Sequence, residues 1–504
     1  MNSVPGIFRV LPELVLTLTG VAVMLLDASL TSLFPRRYLG MVAAIGTTFA
    51  LWASLGQLWL PMGTGFSGTV ETSAFTIFFH VLICGLVLVA LLLSLDTLPE
   101  ESRHQGEYYA LIVFGAVGMC LLTGAVELLL VFIALEISSI ATYVLVGYRK
   151  QTARGPEAAI KYFLLGSFAT AFLLYGIALI FGATGTTQIY EIARLAPTVQ
   201  NHALILAGLG LMLVGILFKV SAAPFHVWTP DVYEGAPTPV VALISTAPKA
   251  AAFALLLRVL YEMLPTLRPV WSPLLWVVAV LSMTVGNLAA LRQTNVKRML
   301  AYSSIAHAGY LLAAFAGLDS TGVMAACFYI AVYAAMNVGI FAVVTLASSY
   351  DEKLPLIGDF RGLIYRSPLL GCLLIFFLAS LVGIPFTGGF MGKLISFSTA
   401  LGGGAIWLVI IGLLNSGLAA AYYLRLALVA AQRPEKENKE KFAPPQVVGV
   451  AVGAALLFAA AATLILGIVP GGLLHAADAS AHTLEAPPAE TSTFGNAVEP
   501  QTQP

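Results

Sequence analysis

Fourteen stretches of this chain are apolar for long enough to cross a lipid bilayer, and that repetition leaves few folds open. They fall at roughly 9–28, 39–60, 74–95, 108–123, 125–147, 158–183, 203–224, 240–264, 271–291, 300–317, 322–349, 368–400, 405–430 and 447–470. A helix needs about 20 apolar residues to span the hydrocarbon core. Inside that core every N–H and C=O must be satisfied within the protein, and a helix does this within one segment. The sequence therefore predicts an all-α polytopic membrane protein of about 14 transmembrane helices. The fourth and fifth runs are nearly continuous and too long for one crossing, so the split is expected at Thr123-Gly124. Composition agrees: 10% of the residues are charged, where a soluble domain carries about 25%. Net charge is zero, so nothing points to nucleic acid, and the first partner is the lipid bilayer.

Loop charges orient the chain. With the N-terminus outside, the cytoplasmic loops hold sixteen Lys and Arg residues, and the outer segments hold three, Arg9, Arg194 and Arg268. This asymmetry follows the positive-inside rule and puts both termini on the outer side of a bacterial inner membrane. Arg36 and Arg37 follow the first apolar run, and no basic region precedes it, which favours an uncleaved first helix. Cys84, Cys120, Cys327 and Cys372 are scattered through apolar runs, a spacing that suits neither an iron–sulfur cluster nor zinc. The chain is expected to bind no redox cofactor or metal of its own. From residue 474 to 504 it is polar and rich in Ala, Pro and Thr, and reads as a disordered tail.

Two spans are interrupted alike. In GILFKVSAAPFHVWTPDVYEGAPTP, Lys219 precedes Pro224; in LVGIPFTGGFMGKL, Pro385, Gly388 and Gly389 precede Lys393. Breaks at membrane depth are tolerated where protein or a water-lined cavity satisfies the freed backbone. Paired breaks in two halves suggest an inverted-repeat transporter. The breaks fall in helices 7 and 12, so two inverted five-helix repeats, helices 4–8 and 9–13, are expected. The expected division is 1–107 for an N-terminal three-helix segment, 108–264 and 265–430 for the repeats, 431–473 for a loop and last helix, and 474–504 for the tail.

The charges inside the spans carry the functional reading. A central ammonium costs at least ~2.5–3.5 kcal/mol on insertion scales, and such residues mark ion pathways. Lys219 and Lys393 lie beside the breaks, Lys249 follows Pro248 deep in its helix, and Glu136 sits mid-depth in LLLVFIALEISSIATYVLV. A lysine within about 4–6 Å of Glu136 would form a pair whose separation alters both proton affinities. Each could instead be a packing ion pair or a cap on broken backbone. Lys161 follows Glu157 by four residues, the spacing of an ordinary helical ion pair. His226 and His307 are candidate proton relays, with His80 a weaker one. Asp231 and Glu234 are expected to shape a re-entrant turn. Arg258 and Arg425 are expected near helix ends, snorkelling to the surface.

The stretches FKVSAAPFHVWTPDVYEGAPTPVVALISTAPKAAAF (Phe218 to Phe253), VKRMLAYSSIAHAGYLL (Val296 to Leu312) and ALEISSIATYVLVGYRK (Ala134 to Lys150) resemble the antiporter-like subunits of respiratory complex I, NADH:quinone oxidoreductase. Within that family they are most similar to the subunit N group. Subunits L and M typically read HTWLPDA where this chain has HVWTPDV. The resemblance covers residues 9–470. It implies a proton channel of two inverted repeats in which Glu136, Lys219, Lys249 and Lys393 line a hydrophilic axis, with Lys161 at the sixth-helix lysine position. It also implies FMN, iron–sulfur clusters and quinone on partner subunits, and a neighbouring antiporter-like subunit as a direct partner. Mitochondrial members lack the first three helices, which this chain has. Two other readings share the buried charges: a subunit of a multi-subunit Na+(K+)/H+ antiporter, and a membrane scaffold without transport.

Overall fold

A computed structural model describes residues 5–29, 36–98, 104–149, 153–317, 319–348, 355–433 and 448–485. The chain opens with α1 (Leu11–Ser29) and α2 (Arg37–Gly56). A short antiparallel pair, β1 (Gly63–Gly65) and β2 (Val70–Thr72), follows, a departure from the all-helical expectation. Next come α3 (Ala74–Leu95), α4 (Gln105–Gly124), α5 (Leu128–Val146), α6 (Arg154–Thr184), the short α7 (Ile189–Leu195) and α8 (His202–Lys219). Three segments succeed them, α9 (Trp228–Gly235), α10 (Thr238–Ile244) and α11 (Ala247–Leu257). The remainder is α12 (Arg268–Leu291), α13 (Val296–Ala313), α14 (Asp319–Ala347), α15 (Leu363–Arg366), α16 (Pro368–Val382), α17 (Gly388–Gly402), α18 (Ile406–Ala431), α19 (Val450–Ile468) and α20 (Gly471–Glu485).

Among the described residues, thirteen helical stretches are long and apolar enough to cross a membrane. Residues 368–400, read from the sequence as one crossing, divide between α16 and α17. The long run over residues 105–147 is cut where expected, since α4 ends at Gly124 and α5 begins at Leu128. A cap marks the new start: the Glu127 carboxylate accepts from Leu129 N at 3.1 Å and Leu130 N at 2.8 Å. Ser73 and Asn295 cap α3 and α13 in the same way.

Burial sorts the spans into layers. The apolar window of Thr238–Met263 is wholly buried, while those of the first span, α18 and α19 are one-third buried. The stretch running through α10 and α11 is therefore the core, with α13 and α14 beside it and the outer helices offering apolar surface to lipid. Lys249, Ser303, Ser304 and His307 on these helices are buried within the protein.

The two breaks have related geometry. After Lys219 the chain turns through Ser221, and before Gly388 it turns through Phe386; both are non-glycine residues with positive φ, 62° and 67°. Such conformations cost of order 1–3 kcal/mol and cluster at functional sites. Ala223 N donates to Ser282 Oγ of α12 at 2.8 Å, which ties the first break to the second half. At the second break Gly389 packs so closely on α16 that a Cβ would overlap the Ser380 carbonyl oxygen and stand 2.8 Å from Met336 Sδ. Gly389→Ala is expected to force α16 and α17 apart and cost about 1–3 kcal/mol, read as a lower thermal midpoint of the assembled protein.

The disordered tail expected from residue 474 is corrected at its start. Residues up to Glu485 belong to α20, which docks on α3: Ser480 Oγ donates to Ala74 O at 3.4 Å, and Phe75 N donates to Thr483 Oγ1 at 3.3 Å. Residues 486–504 of that tail, and Arg103, Lys150, Lys353, Lys436, Lys439 and Lys441, expected on the cytoplasmic side, lie outside the described residues.

Candidate functional site

Lys219 is the last residue of α8 and is buried. Its Nζ donates a long hydrogen bond, 3.4 Å, to Tyr143 Oη of α5, and stands 5.1 Å and 5.5 Å from the ring centres of Tyr143 and Tyr162. Tyr162 stacks on Trp228, whose Nε1 donates to Phe218 O at the helix end. Gly166 of α6 leaves the space that the Tyr143 hydroxyl fills. Glu136 lies two turns before Tyr143 on α5 and makes no ion pair as short as 4.0 Å with Lys219. Its Oε1 is buried without a hydrogen-bond partner, and it acts on Lys219 through space.

Lys249 lies just past the interruption between α10 and α11 and is 3% exposed. Its ammonium donates to Ser304 Oγ of α13. Ser304 Oγ in turn pairs with Tyr333 Oη at 2.6 Å and with Tyr233 Oη at 3.3 Å. One turn further along α13, His307 is fully engaged: Nδ1 bonds Tyr329 Oη at 3.0 Å, and Nε2 bonds Tyr423 Oη at 3.3 Å. Tyr423 also bonds Ser303 Oγ. The His307 and Tyr333 ring centres are 5.3 Å apart with their planes tilted by 33°, so the two hydroxyl clusters lie side by side.

Lys393, buried on α17, closes the line. It donates to Leu381 O at 2.9 Å, Val382 O at 2.8 Å and Ser416 Oγ at 2.9 Å, and lies 4.9 Å from the centre of the Tyr310 ring. The capping of orphan carbonyls, an alternative for every lysine here, is thus observed at Lys393. Tyr310 Oη accepts from Asn287 Nδ2 at 3.0 Å, and Tyr422 Oη donates to Asn287 Oδ1 at 3.0 Å. Tyr422 packs on Tyr423, returning the path to His307, which is within electrostatic reach of both Lys249 and Lys393.

Two candidates stand apart. Lys161, on α6, pairs with Glu157 Oε1 and Asp231 Oδ2, both at 2.8 Å, with its side chain 44% exposed. It lines an open pocket of about 200 Å³ with Arg154, Glu157, Asp231, Glu234 and Arg298. Asp231 and Glu234, expected to shape the turn, also bind Arg298 there, at 2.6 Å and 3.0 Å. Partial burial works to raise the Asp231 carboxyl, but hydrogen bonds from Lys161 and Arg298 outweigh it and hold the group below its ordinary range. Stability from a depressed carboxyl is present above the ordinary range and lost as pH falls through the folded value. The cluster therefore stays paired at neutral pH. His226 is half-buried beside the first break, with Nδ1 unpartnered.

The sequence reading missed the tyrosines and serines that join the lysines. One signal was present: Ser303, His307 and Tyr310 recur at helical spacing on one face of α13. Arg258 and Arg425, expected to snorkel, instead reach into protein. Arg425 donates to Leu291 O and Gln293 O at the end of α12, and Arg258 is buried between carboxylates. Among the described residues no cluster of His, Cys, Asp and Glu is placed to hold a metal ion.

Comparison with known proteins bears on this arrangement. Residues 125–419 match the family model described as NADH:quinone oxidoreductase/Mrp antiporter, TM. NADH-quinone oxidoreductase subunit N 2 of Koribacter versatilis is 49% identical over 94% of this chain and 97% of its own length. Subunit N of Trichlorobacter lovleyi is 44% identical over 92% and 95%. A chain of respiratory complex I from Thermus thermophilus superposes with a TM-score of 0.78 at 36% identity, covering 93% of this chain and 99% of that one. A chain of the Mrp complex from Dietzia has the same fold, with a TM-score of 0.81 at 20% identity over 94% and 97%.

Proposed function

We propose, from the premise that this chain belongs to the NADH:quinone oxidoreductase/Mrp antiporter membrane family and within it to the subunit N group, that protons move through it along Glu136, Lys219, Lys249, His307 and Lys393. The chain is a proton-translocating membrane subunit of NADH-quinone oxidoreductase. Electron transfer from NADH through FMN and iron–sulfur clusters to quinone is assigned to partner subunits, and a second antiporter-like subunit is the expected neighbour. Two inverted five-helix repeats, with both chain ends on the outer face of the bacterial inner membrane, form the path in this reading, and protons move from cytoplasm to outside.

The observation that carries this reading is a buried run of hydrogen-bonded side chains from Lys249 through Ser304 to Tyr333, with His307, Tyr329 and Tyr423 beside it. Each hydroxyl can both accept and donate, so a proton leaving the Lys249 ammonium can enter Ser304 while the serine's own proton passes to Tyr333 and Tyr333 gives up its phenolic proton toward His307. Neutral imidazole accepts on one nitrogen and donates from the other. With a phenol on each side, His307 can take a proton from one tyrosine and release one to the next. Between Tyr333 and His307 the contact is ring against ring, and we place the controlled step there. Glu136 biases Lys219 through its charge, and the signal from electron transfer would act by changing that distance. Lys393 is the exchange site toward the outer face. Lys161 and the charged pocket around it form the cytoplasmic mouth, and His226 lies beside it.

Lys249→Met in the complex reconstituted into liposomes is expected to lower NADH-driven proton uptake about tenfold or more, without dependence on Na+ or K+. Unchanged pumping removes Lys249 from the path. Pumping that requires Na+ or K+ supports the cation-exchange reading instead.

A further inference from the structure

Ser304 has more neighbours than protons, and which of them donates to it decides where its own proton points. Its Oγ meets the Lys249 ammonium of α11, Tyr333 Oη of α14 at 2.6 Å and Tyr233 Oη of α9 at 3.3 Å. A hydroxyl has one proton to give and two lone pairs to fill, and an ammonium can only donate. Lys249 therefore takes one lone pair. With all three neighbours bonded, one tyrosine donates into the second lone pair and the other receives the serine proton. If Tyr233 donates, the Ser304 proton points to Tyr333 and on toward His307. If Tyr333 donates, that proton points to Tyr233, away from His307.

Tyr233 has a second acceptor for its own proton. Its hydroxyl also reaches the side chain of Ser245, at the end of α10. Ser245 gives its proton to Ala242 O at 3.1 Å, so toward Tyr233 its oxygen accepts. The phenol O–H can thus turn between Ser304 and Ser245 by rotation about its C–O bond, with the ring left in place. That ring is fully buried, with Phe341 against it at 5.9 Å between centres. Its helix is pinned to α13, the helix of Ser304. Arg298 Nη1 donates to Asp231 Oδ1 at 2.6 Å and Glu234 Oε2 at 3.0 Å, and Lys297 Nζ donates to Ala236 O at 2.7 Å. These contacts flank Tyr233 in sequence and hold its hydroxyl at Ser304.

We propose that Tyr233 is a positioning residue that sets the direction of proton transfer through Ser304: donating to Ser304 it opens the step from Lys249 to Tyr333, and donating to Ser245 it closes that step. In the open form a proton leaves Lys249 Nζ for Ser304 Oγ as the serine proton passes to Tyr333 Oη, and Tyr233 keeps its own. In the closed form Tyr333 donates to Ser304, and no proton advances toward His307. This control precedes the ring-to-ring step between Tyr333 and His307, and it rests on the translocation reading above.

The test measures proton uptake and thermal midpoint on the whole complex in liposomes. Tyr233→Phe keeps the ring and removes the donor, so uptake is expected about fivefold slower at an unchanged midpoint. Ser245→Ala removes the competing acceptor, while Ala242 O keeps a 2.8 Å bond from Thr246 Oγ1; uptake is expected about twofold faster. In the double variant the Ser245 effect vanishes, because Ser245 acts through the phenol proton alone. Wild-type uptake in Tyr233→Phe overturns the proposal, as does a Ser245→Ala effect of equal size with and without the phenol. Slower uptake with lower midpoints in both single variants, the signature of damaged packing, overturns it too. If Tyr233→Phe does not assemble, Ser245→Ala decides: faster uptake supports the switch, and wild-type or slower uptake overturns it. Normal pumping by Lys249→Met marks failure of the translocation reading, whereas normal pumping by Tyr233→Phe beside a silent Lys249→Met marks failure of this proposal alone.

Discussion

Alanine at Lys219 is expected to leave a folded, assembled subunit whose complex pumps protons at about a tenth of the wild-type rate or less. The partners of this ammonium are weak for a buried charge. It has a 3.4 Å bond to one phenol and faces two aromatic rings. Cation–π contacts contribute up to about 2 kcal/mol when desolvated, while burying the ion costs several. Removing it should therefore change folding stability by no more than about 1–2 kcal/mol. Lys219→Arg separates charge from proton exchange. A guanidinium keeps the charge facing Glu136 and the rings but does not release its proton. The arginine variant should assemble and still fail to pump, measured as liposome acidification alongside NADH oxidation. Pumping by Lys219→Arg at the wild-type rate would show that only a fixed charge is needed there.

Much of the frame was legible because hydropathy and breakers act locally. Apolar length marks the spans, and Pro385 with Gly388 and Gly389 marks the gap between α16 and α17. Buried lysines stood out because their cost in hydrocarbon is independent of what they meet. What was not legible is which groups meet. Arg258 looked like a snorkelling residue near a helix end; its carboxylate Glu71 arrives from 187 positions upstream. The residues that lie between Lys249 and Lys393 come from α9, α12, α13, α14 and α18. A tyrosine in an apolar run is equally consistent with a core filler until its hydroxyl partner is placed. The tail misled for a related reason: alanine-rich, polar composition resembles disorder, but Ser480 and Thr483 complete hydrogen bonds at the start of α3. Lys161 is the converse case, since its local pair with Glu157 was visible in spacing and is observed.

Lys393 should behave differently from Lys219 because its ammonium also holds the backbone. Alanine there removes three donors at 2.8–2.9 Å, takes the lysine from the Leu381 carbonyl and leaves the Val382 carbonyl with the longer 3.4 Å bond from Ser416 Oγ. A buried group left unpaired costs about 1–3 kcal/mol. Lys393→Ala is therefore expected to lose both pumping and thermal stability, whereas Lys219→Ala loses pumping alone. Lys393→Arg should recover much of the stability, since a guanidinium can donate to both carbonyls, and none of the pumping, since it stays charged. Ser416→Ala removes one partner and leaves the carbonyl bonds, so its thermal midpoint should stay close to wild type. Paired measurements of thermal midpoint and proton uptake on these variants decide the matter. Restoration of both properties by arginine would make Lys393 a cap and nothing more, and the path would have to leave the protein without it. A split between the two properties means that the same ammonium holds the helix break together and exchanges the proton, which explains why a lysine, and not a permanently charged arginine, stands beside each break.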